Sequence, residues 1–172
     1  MRVQVNGIHL GYEEWGAGEP VVLLHAFPCN RSMWAPQINT LVQGHRFRVI
    51  IPDFRGFGES EVPEGPYLME TLADDTAALL DELHIEECVL GGLSMGGYAA
   101  FAFYRAYSRR VRALILANTR PQADTPEGRA TREETAQLAA REGSQVVAER
   151  YLPRMLTAET LQDPTGTTAR LR

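Results

Sequence analysis

Apolar and polar positions recur in this chain at two periods, and the change from one to the other marks out its elements. Val3 and Val5 alternate with polar neighbours, and residues 8–15 carry a second alternating run, the pattern of strands with one face in a core. Asn6-Gly7 between them is a hairpin turn signal. Continuous apolar runs follow at 20–25, 47–52, 88–91 and 111–117, each short enough for a strand covered on both faces. Between them Leu72, Thr76, Leu79, Leu80 and Leu83 share one face at helical spacing, which leaves Asp74, Asp75, Asp81 and Glu82 on the other. Residues 95–107 are apolar on most sides, which predicts a well-buried helix. Alternating strands and helices predict right-handed crossovers and a mostly parallel sheet, entered through the antiparallel hairpin.

Past Ala117 the character changes. Residues 118–128 are polar and hold Pro121, Pro126 and Gly128. Residues 129–141 predict a charged helix with a weak apolar face and Gly143 as its cap. Val146, Val147, Tyr151, Leu152, Met155 and Leu156 predict further amphipathic helix, interrupted near Pro153. Residues 162–172 have no apolar periodicity.

Composition narrows the setting. With 172 residues, 44% hydrophobic and 23% charged, there is chain enough for the core of one soluble domain. A net charge of -5 offers nothing to nucleic acid or to an anionic membrane. No apolar run approaches the ~18 residues of a membrane span, and residues 1–5 lack the apolar core of a signal peptide. Cys29 and Cys88 do not make a disulfide framework, so a reducing, cytoplasmic setting is expected. In that setting the glycosylation-type triplet Asn30-Arg31-Ser32 is a chance match.

The chemistry concentrates at Gly92-Leu93-Ser94-Met95-Gly96, between an apolar strand and a helix. G-x-S-x-G in that context is a nucleophile elbow, a sharp turn that lifts a serine hydroxyl above the sheet. Its glycines are expected where strand and helix pass too close for a side chain. Serine is a poor nucleophile near neutral pH and needs a base. The four histidines, His9, His25, His45 and His84, all precede Ser94. The histidines and cysteines are too scattered for a metal cluster, and the glycines at 91–96 lack the spacing and lysine of a phosphate cradle.

Three motifs stand in order: His25-Ala26-Phe27-Pro28 at one strand end, Asp53-Phe54-Arg55-Gly56-Phe57-Gly58-Glu59-Ser60 after another, and the Ser94 elbow. Together they resemble the α/β-hydrolase superfamily, most closely its serine esterase, lactonase and cofactor-free haloperoxidase-like branch, over residues 1 to about 156. The fold this implies is α/β: a mostly parallel sheet flanked by helices, truncated after the sixth strand and the start of a helical cap. The core would occupy residues 1–120 and the beginning of the cap 121–172, with Asp124-Thr125-Pro126-Glu127-Gly128-Arg129 looking like its first turn. Two further strands, carrying the triad acid and histidine, are implied outside the chain.

The resemblance makes Ser94 the nucleophile and the backbone N–H groups of Met95 and Phe27 the oxyanion donors. Phe27, Cys29, Leu93 and Trp34 would line the substrate site; simple packing is the plainer role for Phe27 and Trp34 and can coexist with it, and Cys29 reads as pocket lining rather than as a nucleophile. Ala26 stands where the family usually has glycine. His25 reads as a histidine that hydrogen-bonds the loop backbone, or, in the sharper alternative, as a substitute base. Asp53 and Arg55 would hold a turn by hydrogen bonds and ion pairing. Asp124 lies where some relatives place the acid, but a cap-loop carboxylate is the plainer reading. No cofactor and no metal are implied. The expected substrate is a small ester or lactone cleaved through an acyl-enzyme. Serine rather than aspartate at the elbow argues against dehalogenase and epoxide hydrolase chemistry. Nucleic acid and membrane are not expected partners; the missing C-terminal portion, or a second copy, is. A reading from another class is a non-catalytic binding or assembly module on a degenerate hydrolase fold.

Overall fold

The two alternating runs form a β-hairpin, β1 (Arg2–Val5) and β2 (Ile8–Gly16), paired antiparallel. Asn6 and Gly7 join them at φ 44° and 76°, the two left-handed positions of a type I′ turn. The apolar runs become β3 (Glu19–Leu24), β4 (Phe47–Pro52), β5 (Cys88–Leu93) and β6 (Val111–Ala117). The six strands lie in the order β1-β2-β4-β3-β5-β6, with β2 antiparallel to β4 and β3, β4, β5 and β6 parallel to their neighbours. This computed structural model describes residues 1–162, in two compact units that divide after Pro121. The polar stretch 163–172 lies outside the described residues.

In the first unit three helices flank the sheet: α1 (Ala35–Leu41), α2 (Met69–Glu82) and α3 (Met95–Tyr107). A continuous apolar strand serves two faces because successive side chains point opposite ways. Val21, Leu23, Val49 and Ile51 form one cluster with Ile38 of α1. Val22, Leu24, Ile50 and Leu90 form the other with Leu72, Leu79 and Leu80 of α2 and Ala99, Ala100 and Phe103 of α3. α1 carries a weak sequence signal, being short and polar apart from Ile38 and Leu41, with proline in its first turn. α3 is buried on one face, while Tyr104, Arg105 and Ala106 are exposed.

Two expectations for this unit need correction. Asp75 does not share the solvent face with Asp74, Asp81 and Glu82; it is 1% exposed and paired. Its position, three residues after Leu72 and four before Leu79, puts it on the inward stripe. The run in β6 predicts a strand covered on both faces, yet Ile115 and Leu116 point to opposite faces and are 50% and 42% exposed. β6 is the last strand in the order, and among the described residues only β5 pairs with it.

An apolar edge strand with a free ladder is a template for another chain. A polypeptide of residues 1–172 alone is therefore expected to associate at micromolar concentration. Light scattering reads this directly, and a sharp soluble monomer with cooperative unfolding would contradict it.

The second unit holds α4 (Pro126–Glu142), α5 (Ser144–Met155) and α6 (Ala158–Gln162). Thr125 caps α4, accepting from the Gly128 N–H at 3.2 Å, and Asp124 beside it ion-pairs with Arg132. Gly143 ends α4 at φ 87°, donating to the Ala139 carbonyl at 2.9 Å. Glu134 of α4 meets Arg150 of α5 at 3.0 Å. The interruption expected at Pro153 does not occur: α5 runs on to Met155. The proline lies in the last turn, where only one internal donor is lost, and the Leu156 N–H still reaches the Leu152 carbonyl at 3.1 Å. No described helix is long and apolar enough to cross a membrane.

Candidate active site

β3 and β5 run side by side and parallel, with Leu24 beside Gly92, so the segments leaving their C-terminal ends emerge together. Ligands in open parallel sheets bind at this end of the strands. Leu93 is the last residue of β5, and Ser94 follows it into α3. Ser94 adopts φ 51°, ψ −110°, a conformation that costs a non-glycine residue energy and that its surroundings must hold in place. Hydrogen bonds to its main chain do so. The Ser94 N–H donates to Ala117 at 3.0 Å, the Thr119 hydroxyl donates to the Ser94 carbonyl at 3.0 Å, and the Gly97 N–H reaches the same carbonyl at 2.9 Å.

Glycine is required on both sides of this turn. A Cβ on Gly92 would lie inside the backbone of Gly96, and one on Gly96 would lie inside the Leu24 carbonyl of β3. Both obstacles are main chain, which has no rotamer to yield. Gly96→Ala is expected to cost about 3 kcal/mol or more, beyond the usual range for overpacking by a methyl group. Urea unfolding with and without the substitution measures it; an unchanged midpoint would contradict the close approach.

His25 stands just past β3 and is fully buried. Its Nε2 accepts from the Phe54 N–H at 3.0 Å, which places the ring proton on Nδ1, where it donates to the Ala26 carbonyl at 3.0 Å. Both nitrogens are occupied, and the ring also packs tilted against Phe54 at 4.7 Å and edge-on against Phe57 at 5.2 Å. Burial pushes its pKa below the ordinary 6.5, opposed by the Ala26 hydrogen bond and the nearby Asp53 charge. The unfolded chain thus takes up the proton first as pH falls. Stability from neutral His25 is complete above about pH 6.5 and declines as pH drops through that value toward the folded pKa. Urea midpoints between pH 7.5 and 5 should show this decline, and His25→Gln should flatten it. An identical slope in the variant would contradict the assignment.

Asp53, fully buried at the end of β4, is the hub beneath this end of the sheet. Its carboxylate accepts from the Arg31 N–H at 2.7 Å, the Glu59 N–H at 2.9 Å and the Arg31 guanidinium. Its carbonyl accepts from the Ser60 hydroxyl at 2.7 Å. Arg55 is held instead by Asp75 of α2, through two parallel bonds of 2.6 Å, with Asn6 adding a third to that carboxylate at 3.1 Å. Asp53 and Arg55 are thus each paired with a residue outside the 53–60 motif, Arg31 and Asp75 respectively, as a structural role for both requires.

The residues read as substrate lining fall into two groups. Phe27, Cys29 and Leu93 are half-buried near the strand ends, and Phe27 meets Phe57 edge-on at 6.2 Å. Burial pushes the Cys29 thiol up, and that of Cys88 up to about 11, so neither is a ready thiolate at neutral pH. Trp34 packs on the α1 side, against the Val21, Leu23 and Ile38 cluster, and its indole nitrogen is buried without a hydrogen-bond partner among the described residues. Sequence reasoning passed over Arg31, Asp75 and Thr119. Asp75 is discoverable from helical spacing; Arg31 and Thr119 lie in loops with no periodicity to expose them.

A profile described as the alpha/beta hydrolase fold matches residues 19–166. A solved thermophilic esterase from Thermogutta terrifontis superposes with TM-score 0.86 and 45% identity, over 95% of this chain and 62% of that one. The solved enol-lactonase from Burkholderia xenovorans gives TM-score 0.90 at 34% identity, over 99% and 65%. A putative non-heme chloroperoxidase of Synechocystis is 39% identical over 127 residues, 70% of this chain and 46% of the relative. The chain thus spans about half to two thirds of the length of the relatives it matches.

Proposed function

Because the chain belongs to the alpha/beta hydrolase fold family, we propose that the protein carrying it hydrolyses carboxylic esters or lactones through an acyl-enzyme on Ser94. The observation that carries this reading is Ser94 itself: a serine held at φ 51°, ψ −110° between β5 and α3 by the Ala117 carbonyl, the Gly97 N–H and the Thr119 hydroxyl. The likeness to an esterase and an enol-lactonase supports the substrate class.

In this reading the Ser94 hydroxyl attacks the substrate carbonyl carbon and gives its proton to a histidine. Negative charge gathers on the carbonyl oxygen. The Met95 N–H meets it from the first turn of α3, where amides lack intrahelical acceptors and the helix dipole is positive. The Phe27 N–H is the second donor. Its peptide plane is set from the far side, where the Ala26 carbonyl accepts from His25 Nδ1 at 3.0 Å and from the Cys29 N–H at 2.9 Å. Collapse expels the alcohol with the histidine's proton, and water then cleaves the acyl-serine by the same steps in reverse order. Phe27, Cys29 and Leu93 line the acyl side. No histidine follows Ser94 within residues 1–172, and both ring nitrogens of His25 are engaged, so in this reading the base comes from outside this segment.

The test is covalent. A fluorophosphonate probe should label the complete gene product on the peptide containing Ser94, and Ser94→Ala should abolish labelling. A complete gene product that leaves Ser94 unlabelled would refute the nucleophile and favour a non-catalytic binding module.

A further inference from the structure

Arg31 lies in the loop between β3 and α1, four residues after Phe27, yet its guanidinium is turned down into the protein with 11% of its side chain exposed. It meets three carboxylates from three segments. Asp53 at the end of β4 is fully buried, Glu13 of β2 lies at 2.9 Å, and Glu59 of the 53–60 loop at 3.0 Å. The Arg31 backbone is held as well, by its own N–H on Asp53 at 2.7 Å. One carboxylate thus grips both the main chain and the side chain of a single residue.

That grip matters for the loop as a whole. Between Ala26 and Trp34 the chain is folded on itself by short bonds: Cys29 N–H to Ala26 at 2.9 Å, Ala26 N–H to the Met33 sulfur at 3.3 Å, and Met33 N–H to Asn30 at 3.2 Å. These fix the loop's shape. They do not fix where the folded loop sits over the sheet. Ties to the rest of the unit do: His25 to Phe54 at the loop's start, Arg31 to Asp53, Glu13 and Glu59 at its middle, and Trp34 packed beside Ile38 at its end. Without the Arg31 tie the middle of the loop is held only from its ends, and it can shift with the Phe27 amide.

We propose that Arg31 is a positioning residue for the oxyanion site, holding the Phe27 N–H at its distance from Ser94 through the Asp53 carboxylate. This rests on the acyl-enzyme reading above. A guanidinium suits the task because its planar fork can satisfy several carboxylates at once with fixed geometry, which an ammonium cannot. Arg31→Lys keeps the charge and loses the fork; Arg31→Met loses both and leaves Asp53 buried without a cation, so it is the variant more prone to unfold.

The experiment uses the complete gene product with Arg31→Lys, Arg31→Met and Ser94→Ala, assayed well below each variant's measured unfolding temperature. A misplaced oxyanion donor should lower kcat for an activated ester roughly 10- to 100-fold with little change in KM. Affinity for a boronic acid, whose tetrahedral anion mimics the intermediate, should fall by the same factor as kcat/KM. Affinity for the carboxylate product should hold. If Ser94→Ala keeps full turnover, the acyl-enzyme reading falls and this assignment with it. If Ser94 is essential and folded Arg31→Lys retains kcat and boronic acid affinity, the Arg31 assignment alone falls.

Discussion

Replacing Ser94 with alanine in the complete gene product is expected to lower ester turnover by about ten-thousand-fold or more, with the folded state intact. The size follows from what the residue does. Removing the nucleophile leaves only the oxyanion donors and substrate binding, which preserve a small residual rate over the uncatalysed reaction. Folding should be spared because the elbow is held by main-chain groups and the Thr119 hydroxyl, none of which uses the Ser94 side chain. Alanine carries the same Cβ as serine, so the backbone at φ 51° meets the same steric demand in the variant. Steady-state rates with a short-chain activated ester, set beside the thermal unfolding of both proteins, separate the two effects. A variant that keeps a tenth of its turnover would remove Ser94 from the chemistry.

Residues 1–172 on their own should hydrolyse the same ester several orders of magnitude more slowly than the complete gene product. His25 is the only histidine adjoining the proposed site, and it cannot serve as base. One nitrogen accepts from Phe54, the other donates to Ala26, and burial pushes its pKa below the ordinary value. Freeing a nitrogen would break the tie that places the Phe27 loop, so a gain in basicity there would cost the oxyanion site. Ser94-dependent turnover by this segment at ~10 per second, the rate of an ordinary intact enzyme, would overturn the argument and make His25 the base.

Much of this architecture could be read from the residues because local and tertiary preferences agree. The Asn6-Gly7 turn, the apolar strands and the glycines around Ser94 each admit few alternatives. β3 and β5 are neighbours, as the resemblance carried by the three motifs implies. What escaped the reading was decided by contacts distant in sequence. Asp75 looks like a surface carboxylate until Arg55, 20 residues earlier, is brought against it. Arg31 sits in a polar triplet, and only the fold delivers Asp53, Glu13 and Glu59 to it. β6 shows the converse. Its composition describes a strand buried on both faces, a state that its place at the edge of the sheet does not supply. Pro153 fell on the wrong side of a local rule, because a proline in a last turn removes too little to end the helix early.

The central claim, an acyl-enzyme on Ser94, is met most directly by trapping it. The complete gene product is mixed with an activated ester, quenched in acid within the first turnover, digested and weighed. The account predicts that the peptide containing Ser94 gains the mass of the acyl group, that the adduct decays on a second, slower phase as water cleaves it, and that Ser94→Ala forms none. Turnover of the ester with no acylated peptide, or an adduct on Cys29 in place of Ser94, would contradict it.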